Sequence, residues 1–233
     1  MSLRIGDIAP DFAAETSMGR ISSFHQWKSN AWCILFSHPK DFTPVCTTEI
    51  DSVAILEKEW AQRKVKVIGL SVDSVECHKL WMKDIENLTN EIINFPIIAD
   101  ANASISRTYG MLDRESVNTQ TVRSIFFIDP QNVIKFILSY PTSVGRNFYE
   151  ILRAIDAVQL TSNYPVVTPG NWSKGKEVIV HPSISDEEAE KLLPLGFIKV
   201  RSYLRITPDP LNEPDYPDTD DIQKNAMSHP HAT

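Results

Sequence analysis

Two apolar runs of strand length, residues 31–36 and 65–72, stand on either side of a stretch over 44–62 in which Ile50, Val53, Ala54, Leu56 and Trp60 recur at helical spacing. That order predicts a β-α-β unit, and two strands joined by a crossover helix lie parallel in one sheet. Between the first strand and the helix runs Ser37-His38-Pro39-Lys40-Asp41-Phe42-Thr43-Pro44-Val45-Cys46-Thr47-Thr48-Glu49. Thr43 suits the N-cap, with its hydroxyl accepting from an early helix amide, and Pro44 suits the first helical position, where a missing N–H costs nothing. Cys46 then falls at the third helical position. The unpaired amides and the positive end of the helix dipole favour thiolate over thiol there, which makes Cys46 a candidate nucleophile. Thr43, one turn earlier on the same face, offers a hydroxyl to the sulfur or to a bound oxygen. The Pro39 ring would shield the pocket.

The rest of the chain extends this unit. An N-terminal hairpin with a short helical turn is expected over residues 1–30. After the second strand, Asp73-Ser74 caps a helix over 75–88 that buries Val75, Leu80, Trp81, Ile85 and Leu88. A short strand follows over 95–100, and a helical piece over 105–109 stops at Gly110. Residues 111–122 read as loop. Strands over 123–130 and 133–140 flank the turn Asp129-Pro130-Gln131-Asn132, a strong hairpin signal. A helix over 146–160 closes the domain. This order is that of an α/β, thioredoxin-like fold over residues 1–162. A linker rich in turn residues leads into a small α+β C-terminal domain over 163–207, with a strand near 177–180, a helix opened by the capping box of Ser185 and Glu188, and a strand near 197–204. At that size it needs the first domain or another subunit to complete a core. Residues 208–233 read as a disordered, proline-rich acidic tail.

The tail also explains the charge. It holds six acidic residues against Lys224, five of the seven net negative charges of the 233-residue chain. The folded part is therefore close to neutral, which argues against a nucleic-acid partner. No apolar run approaches a membrane span, and the N-terminus lacks the regions of a signal peptide, so a cytoplasmic protein with no membrane partner is expected. Cys33, Cys46 and Cys77 are odd in number and lack metal-ligand spacing, so free thiols are expected, with no metal and no cofactor.

A helix-start thiolate can run several chemistries. Thr43 stands where the partner of a Cys-x-x-Cys motif would be, which excludes dithiol exchange within one motif. A cysteine hydrolase needs a base oriented by a third group, and nothing in the sequence identifies an orienter for His38. Peroxide reduction needs only a thiolate, donors that hold two oxygens in line, and a cation.

The motif Pro39-x-x-x-Thr43-x-x-Cys46 resembles the signature of the peroxiredoxins in the AhpC/TSA superfamily. The longer run from Ser37 to Glu49 resembles their one-cysteine, peroxiredoxin-6-like branch. The likeness continues through Ser71-Val72-Asp73-Ser74, residues 95–100, Gly145-Arg146-Asn147-Phe148, Leu160-Thr161 and Tyr203-Leu204-Arg205. It implies that Cys46 is the peroxidatic nucleophile, oxidised to a sulfenic acid by hydrogen peroxide or an alkyl hydroperoxide, with Thr43 and Pro39 forming the pocket. Arg123 matches the active-site arginine, Glu49 and Arg146 the pair that orients it, and His38 the histidine beside the site.

Two departures matter. No cysteine follows Cys77, so an external thiol, either a small thiol or a redox protein, is expected to reduce the sulfenic acid. Cys33 is expected to be buried and inert, and Cys77 is the one candidate resolving thiol in the chain. Animal one-cysteine members also carry a phospholipase motif, but the matching segment here is Ser29-Asn30-Ala31-Trp32-Cys33, without the serine, so His25 reads as a surface histidine. The resemblance implies a homodimer or larger homo-oligomer. A peroxide sensor or redox-switched chaperone-like assembly is the alternative to a turnover enzyme.

Overall fold

The computed structural model describes residues 3–112, 120–193 and 195–211. The chain divides into two compact units, Met1–Arg146 and Asn147–Thr233. The second unit thus takes in the long helix that the sequence division at 162 counts with the first domain.

The first unit opens with the expected hairpin, β1 (Ala14–Thr16) and β2 (Gly19–Ile21), and a short helix α1 (Phe24–Lys28). Then come β3 (Trp32–Ser37), α2 (Pro44–Ile55), α3 (Glu57–Gln62), β4 (Val65–Ser71), α4 (Val75–Thr89), β5 (Ile97–Ala99), α5 (Ser104–Thr108), β6 (Arg123–Ile128) and β7 (Ile134–Tyr140). Seven strands form one sheet in the order β2-β1-β5-β4-β3-β6-β7. β3 and β4 run parallel, Trp32 opposite Val65 through Ser37 opposite Leu70, as the crossover requires. β6 lies antiparallel on the other side of β3, Cys33 opposite Ile128 through Phe36 opposite Ile125. This antiparallel pairing sets the start of β6 level with the loop that leaves β3.

Side chains alternate across these buried strands. Cys33 and Leu35 of β3, Ile68 and Leu70 of β4, and Phe126 and Ile128 of β6 share one core with Phe24, Tyr109 and Met111. Ile34 and Phe36 point to the opposite face. There Gly69 permits close packing, since a Cβ on it would lie 3.3 Å from the Phe36 ring.

Four expectations change. The helix over 44–62 is two helices interrupted at Leu56, whose φ of −87° and ψ of 15° leave the helical region. The Val53 carbonyl, which a continuous helix would bond to a backbone amide, accepts instead from Trp60 Nε1 at 2.9 Å. On α4 the buried stripe runs through His78, Trp81, Met82 and Ile85, and Leu80 and Leu88 are 66% and 67% exposed. The strand expected near 197–204 is an antiparallel hairpin, β10 and β11 below. Residues 208–211 belong to the fold, with Asp209 buried and accepting from the Gly175 and Leu211 amides. The remainder of the expected tail, 212–233, and loop residues 113–119 lie outside the described residues.

The second unit holds α6 (Phe148–Asn163), β8 (Val166–Val167), β9 (Val178–Val180), α7 (Asp186–Leu192), β10 (Ile198–Arg201) and β11 (Leu204–Thr207). Its strands form a separate sheet in the order β10-β11-β9-β8. Leu160, Val166, Trp172, Val178, Val180, Ala189 and Leu193 make its core. Asn147 caps α6, and Ser185 and Glu188 form the expected capping box on α7. Among the described residues, no helix is long and apolar enough to cross a membrane.

Candidate active site

The β3–α2 loop is pinned where it leaves β3. The Ser37 hydroxyl donates to Val122 O and accepts from the Ser124 amide, and Thr121 Oγ1 donates to His38 O at 2.7 Å. Phe42 turns the chain at a φ of +55° and is 53% exposed. Thr43 is the N-cap residue of α2 by its backbone, with Pro44 beginning the helix. The expected side-chain cap is absent, because the Thr43 hydroxyl donates to Lys40 O at 2.8 Å and closes the loop instead. Cys46 therefore sits at the third helical position and is 0% exposed, and Pro39 is buried.

Four charged or ionisable groups converge here from three segments. Arg123, the first residue of β6, donates through Nη1 to Cys46 Sγ at 3.3 Å and to Glu49 Oε2 at 2.7 Å. Its Nε and Nη2 donate to Thr142 O at 3.0 and 2.7 Å, which fixes the guanidinium plane. Glu49, one turn after Cys46, accepts from Arg146 Nε and the Arg146 amide on Oε1, and from Arg146 Nη2 on Oε2. Arg146 donates its Nη1 to Ser124 O and stacks over Phe36. Burial would raise the Glu49 carboxyl, but the Arg146 hydrogen bonds and the charges of both arginines hold it below its ordinary value. Among these four groups, two buried guanidiniums meet one carboxylate, a net positive charge. A thiolate on Cys46 would balance it. Such an arrangement can present a sulfur nucleophile with guanidinium donors beside the reacting atoms.

The structure thus brings together Cys46, Arg123, Glu49 and Arg146, with Thr43 and Pro39 in the adjoining loop. His38 is buried but engaged elsewhere. Its Nε2 lies 2.7 Å from Asp41 Oδ1, and Asp41 Oδ2 lies 2.6 Å from His78 Nδ1. Asp41 is the orienter that no spacing in the sequence identifies. The Asp41 amide donates in turn to Asp73. Nothing in the sequence joins Asp41, Asp73 and His78 to His38, because a loop aspartate, a helix-start aspartate and a mid-helix histidine carry no such signal until the fold brings them together. The contacts at 2.6 and 2.7 Å are hydrogen bonds. Tetrahedral ligands about 2.0–2.1 Å from one ion would stand roughly 3.3 Å apart.

The other two cysteines differ from Cys46. Cys33 is fully buried in mid-strand, and burial pushes its thiol well up. Cys77 is half-buried, and burial together with Asp41 and Asp73 pushes its thiol up to about 11. Lys28, also unnoticed, is a buried ammonium donating to the carbonyls of Ser29, Ala31, Asp129 and Pro130. His25 is half-buried rather than on the surface, with Nε2 2.7 Å from Ala9 O.

Comparison with known proteins agrees with the resemblance read from the motif. The model of the AhpC/TSA family matches residues 5–137, and that of the C-terminal domain of 1-Cys peroxiredoxin matches residues 157–194. A 1-Cys peroxiredoxin of Dictyostelium discoideum is 48% identical, over 89% of this chain and 86% of its own. Peroxiredoxin-6 of Mus musculus is 46% identical, over 89% of this chain and 98% of its own. Among solved structures, a yeast mitochondrial 1-Cys peroxiredoxin superposes with a TM-score of 0.83 at 44% identity, over 88% of this chain and 99% of the other. That structure was described for its thiol resolving mechanism via the glutathione and thioredoxin systems.

Proposed function

This chain belongs to the peroxiredoxins of the AhpC/TSA family and is a thiol-dependent peroxidase with a thioredoxin-like fold; from that premise we propose that Cys46 is its peroxidatic residue. The observation that carries the assignment is the 3.3 Å contact of Arg123 Nη1 with Cys46 Sγ, beside the Glu49 and Arg146 ion pairs. In the proposed reaction the Cys46 thiolate attacks the terminal peroxide oxygen. The O–O bond breaks, the leaving oxygen takes a proton from solvent, and Cys46 becomes a sulfenic acid on the oxygen that keeps its own proton. Arg123 stabilises the thiolate and the oxygens in transit, and Glu49 and Arg146 hold Arg123 in place. Thr43 and Pro39 shape the pocket.

An external thiol then reduces the sulfenic acid. The glutathione and thioredoxin systems that serve the yeast relative define the class of reductant expected here. A cytoplasmic homodimer is part of the proposal, as is the division into a peroxidase domain over 1–162 and a C-terminal domain that begins at 163 and extends past 207 to Leu211 through the Asp209 contacts. Cys46→Ser should abolish peroxide consumption measured with excess thiol. Retention of most of the rate would sink the assignment.

A further inference from the structure

Asp41 is the centre of a buried hydrogen-bond chain whose protons can be counted from its acceptors. A backbone carbonyl has no hydrogen to give, so the 3.1 Å contact of His78 Nε2 with Ile98 O puts a proton on that nitrogen. His78 Nδ1 faces Asp41 Oδ2 at 2.6 Å. Burial would raise the Asp41 carboxyl, but the hydrogen bonds and charges of both histidines hold it at about 2, so it is ionised at neutral pH. His78 Nδ1 must therefore carry a proton as well, which makes His78 an imidazolium paired with Asp41.

The other Asp41 oxygen takes the Nε2 proton of His38 at 2.7 Å. Burial lowers the His38 pKa more than Asp41 raises it, so His38 holds one proton and its Nδ1 lone pair is bare. That atom is fully buried and has no hydrogen-bond partner among the described residues. Buried polar atoms without partners are rare, and a bare imidazole nitrogen is a proton acceptor. The nearby alternatives are spent: both Glu49 oxygens accept from arginines, the Thr43 hydroxyl donates to Lys40 O, and guanidinium has no acceptor. His38 is also tied to the nucleophile's helix. Its ring lies 5.0 Å from that of Trp81, whose Nε1 donates to Thr47 Oγ1, beside Cys46.

We infer that His38 Nδ1 is the base for the thiol half-reaction, and that Asp41 and His78 are positioning residues that hold His38 in the tautomer exposing that lone pair. The inference rests on the peroxidase reading above. The incoming thiol gives its proton to Nδ1, and its sulfur attacks the sulfenic sulfur of Cys46. The S–O bond breaks with its electron pair going to oxygen, and the proton passes from Nδ1 to that oxygen to release water. The incoming sulfur is oxidised and the Cys46 sulfur reduced as they join in a mixed disulfide. The peroxide half-reaction needs no such base, because Cys46 enters it as thiolate, the attacked oxygen keeps its proton in the sulfenic acid, and the leaving oxygen takes one from solvent. The charged and titratable groups facing His38 are Asp41 from the loop, His78 from α4 and Asp73 after β4, and Cys77 faces Asp41 in turn. Neutral His38 is the competent form, so the acid limb of the thiol step falls below the ordinary histidine value of 6.5.

The test follows the two half-reactions separately in full-length protein, with hydrogen peroxide and 2-mercaptoethanol as probes, alongside ¹⁵N spectra of the histidine rings. Wild type should show His38 protonated on Nε2 alone and His78 protonated on both nitrogens. His78→Leu should slow mixed-disulfide formation at least tenfold and displace its acid limb, while the peroxide step changes less than twofold. His78→Gln, whose amide can still donate to Asp41, should recover at least half of the lost rate. A proton on His38 Nδ1 in wild type would overturn the inference even if the variants fail to fold. An equal loss in both steps, or an unchanged pH profile of the thiol step, would overturn it too. Failure of wild-type Cys46 to form a sulfenic acid is a different result, because it would remove the peroxidase reading itself.

Discussion

Cys46 and Cys77 occupy the same local position, each the third residue of a helix that begins just after a central parallel strand. Thr43 precedes α2 and Ser74 precedes α4, and the Ser74 hydroxyl even accepts from the Cys77 amide. Their surroundings are opposite. Arg123 lies against the Cys46 sulfur, whereas Cys77 faces Asp41 and Asp73. Cys46 is the more deeply buried of the two, so exposure does not select the candidate nucleophile. The comparison teaches that a helix N-terminus is common to both thiols, and that the charge supplied by other segments separates them.

Breaking the favourable side of the contrast should have the largest effect. Arg123→Met leaves the sulfur and helix in place but removes the cation, and the rate of Cys46 oxidation should fall about 10²- to 10³-fold, the usual loss for one preorganised donor. Stopped-flow oxidation by hydrogen peroxide reads it. Glu49→Ala attacks the same cluster through stability. It strands two buried guanidiniums, and urea unfolding should show a loss of about 3–5 kcal/mol.

Relieving the unfavourable side should sharpen the contrast by a smaller amount. In Asp73→Asn one of the two carboxylates near Cys77 becomes neutral. Alkylation of Cys77 by iodoacetamide at pH 8 should then rise roughly 3- to 10-fold, the second figure being one pKa unit of extra thiolate. Cys77→Ser should leave peroxide turnover within about twofold of wild type. The smallest effect concerns acid stability. The Asp41 carboxyl is held at about 2 in the fold against 3.8 for the free group, so its stabilisation is fully present above 3.8 and is lost as pH falls toward 2. The stability gap between wild type and Asp41→Asn should therefore narrow over that interval, measured by urea midpoints at several pH values.

How much of this was legible in the sequence depended on whether the signal was local. The β-α-β unit, the Asp129–Asn132 turn and the Ser185 capping box were readable because each is set by residues within a few positions of one another. The break at Leu56 was not, since it depends on an indole reaching back to a carbonyl. Leu80 and Leu88 misled because their apolar character carries no information on which face meets the sheet. At the site, Cys46 and its helix position follow from local spacing, but Arg123 stands 77 residues away in sequence and was identified through family resemblance. The His38–Asp41–His78 chain was invisible, because parallel pairing had first to bring the β3 and β4 ends together.

Charge placed by the fold should make Cys46 the reacting thiol and leave Cys77 idle. Site-resolved mass spectrometry after one equivalent of hydrogen peroxide, first with a sulfenic-acid trap and then with a small thiol, tests it most directly. A trapped sulfenic acid and then a mixed disulfide should form on Cys46, with Cys77 unmodified. A disulfide between Cys46 and Cys77, or first oxidation at Cys77, would contradict it.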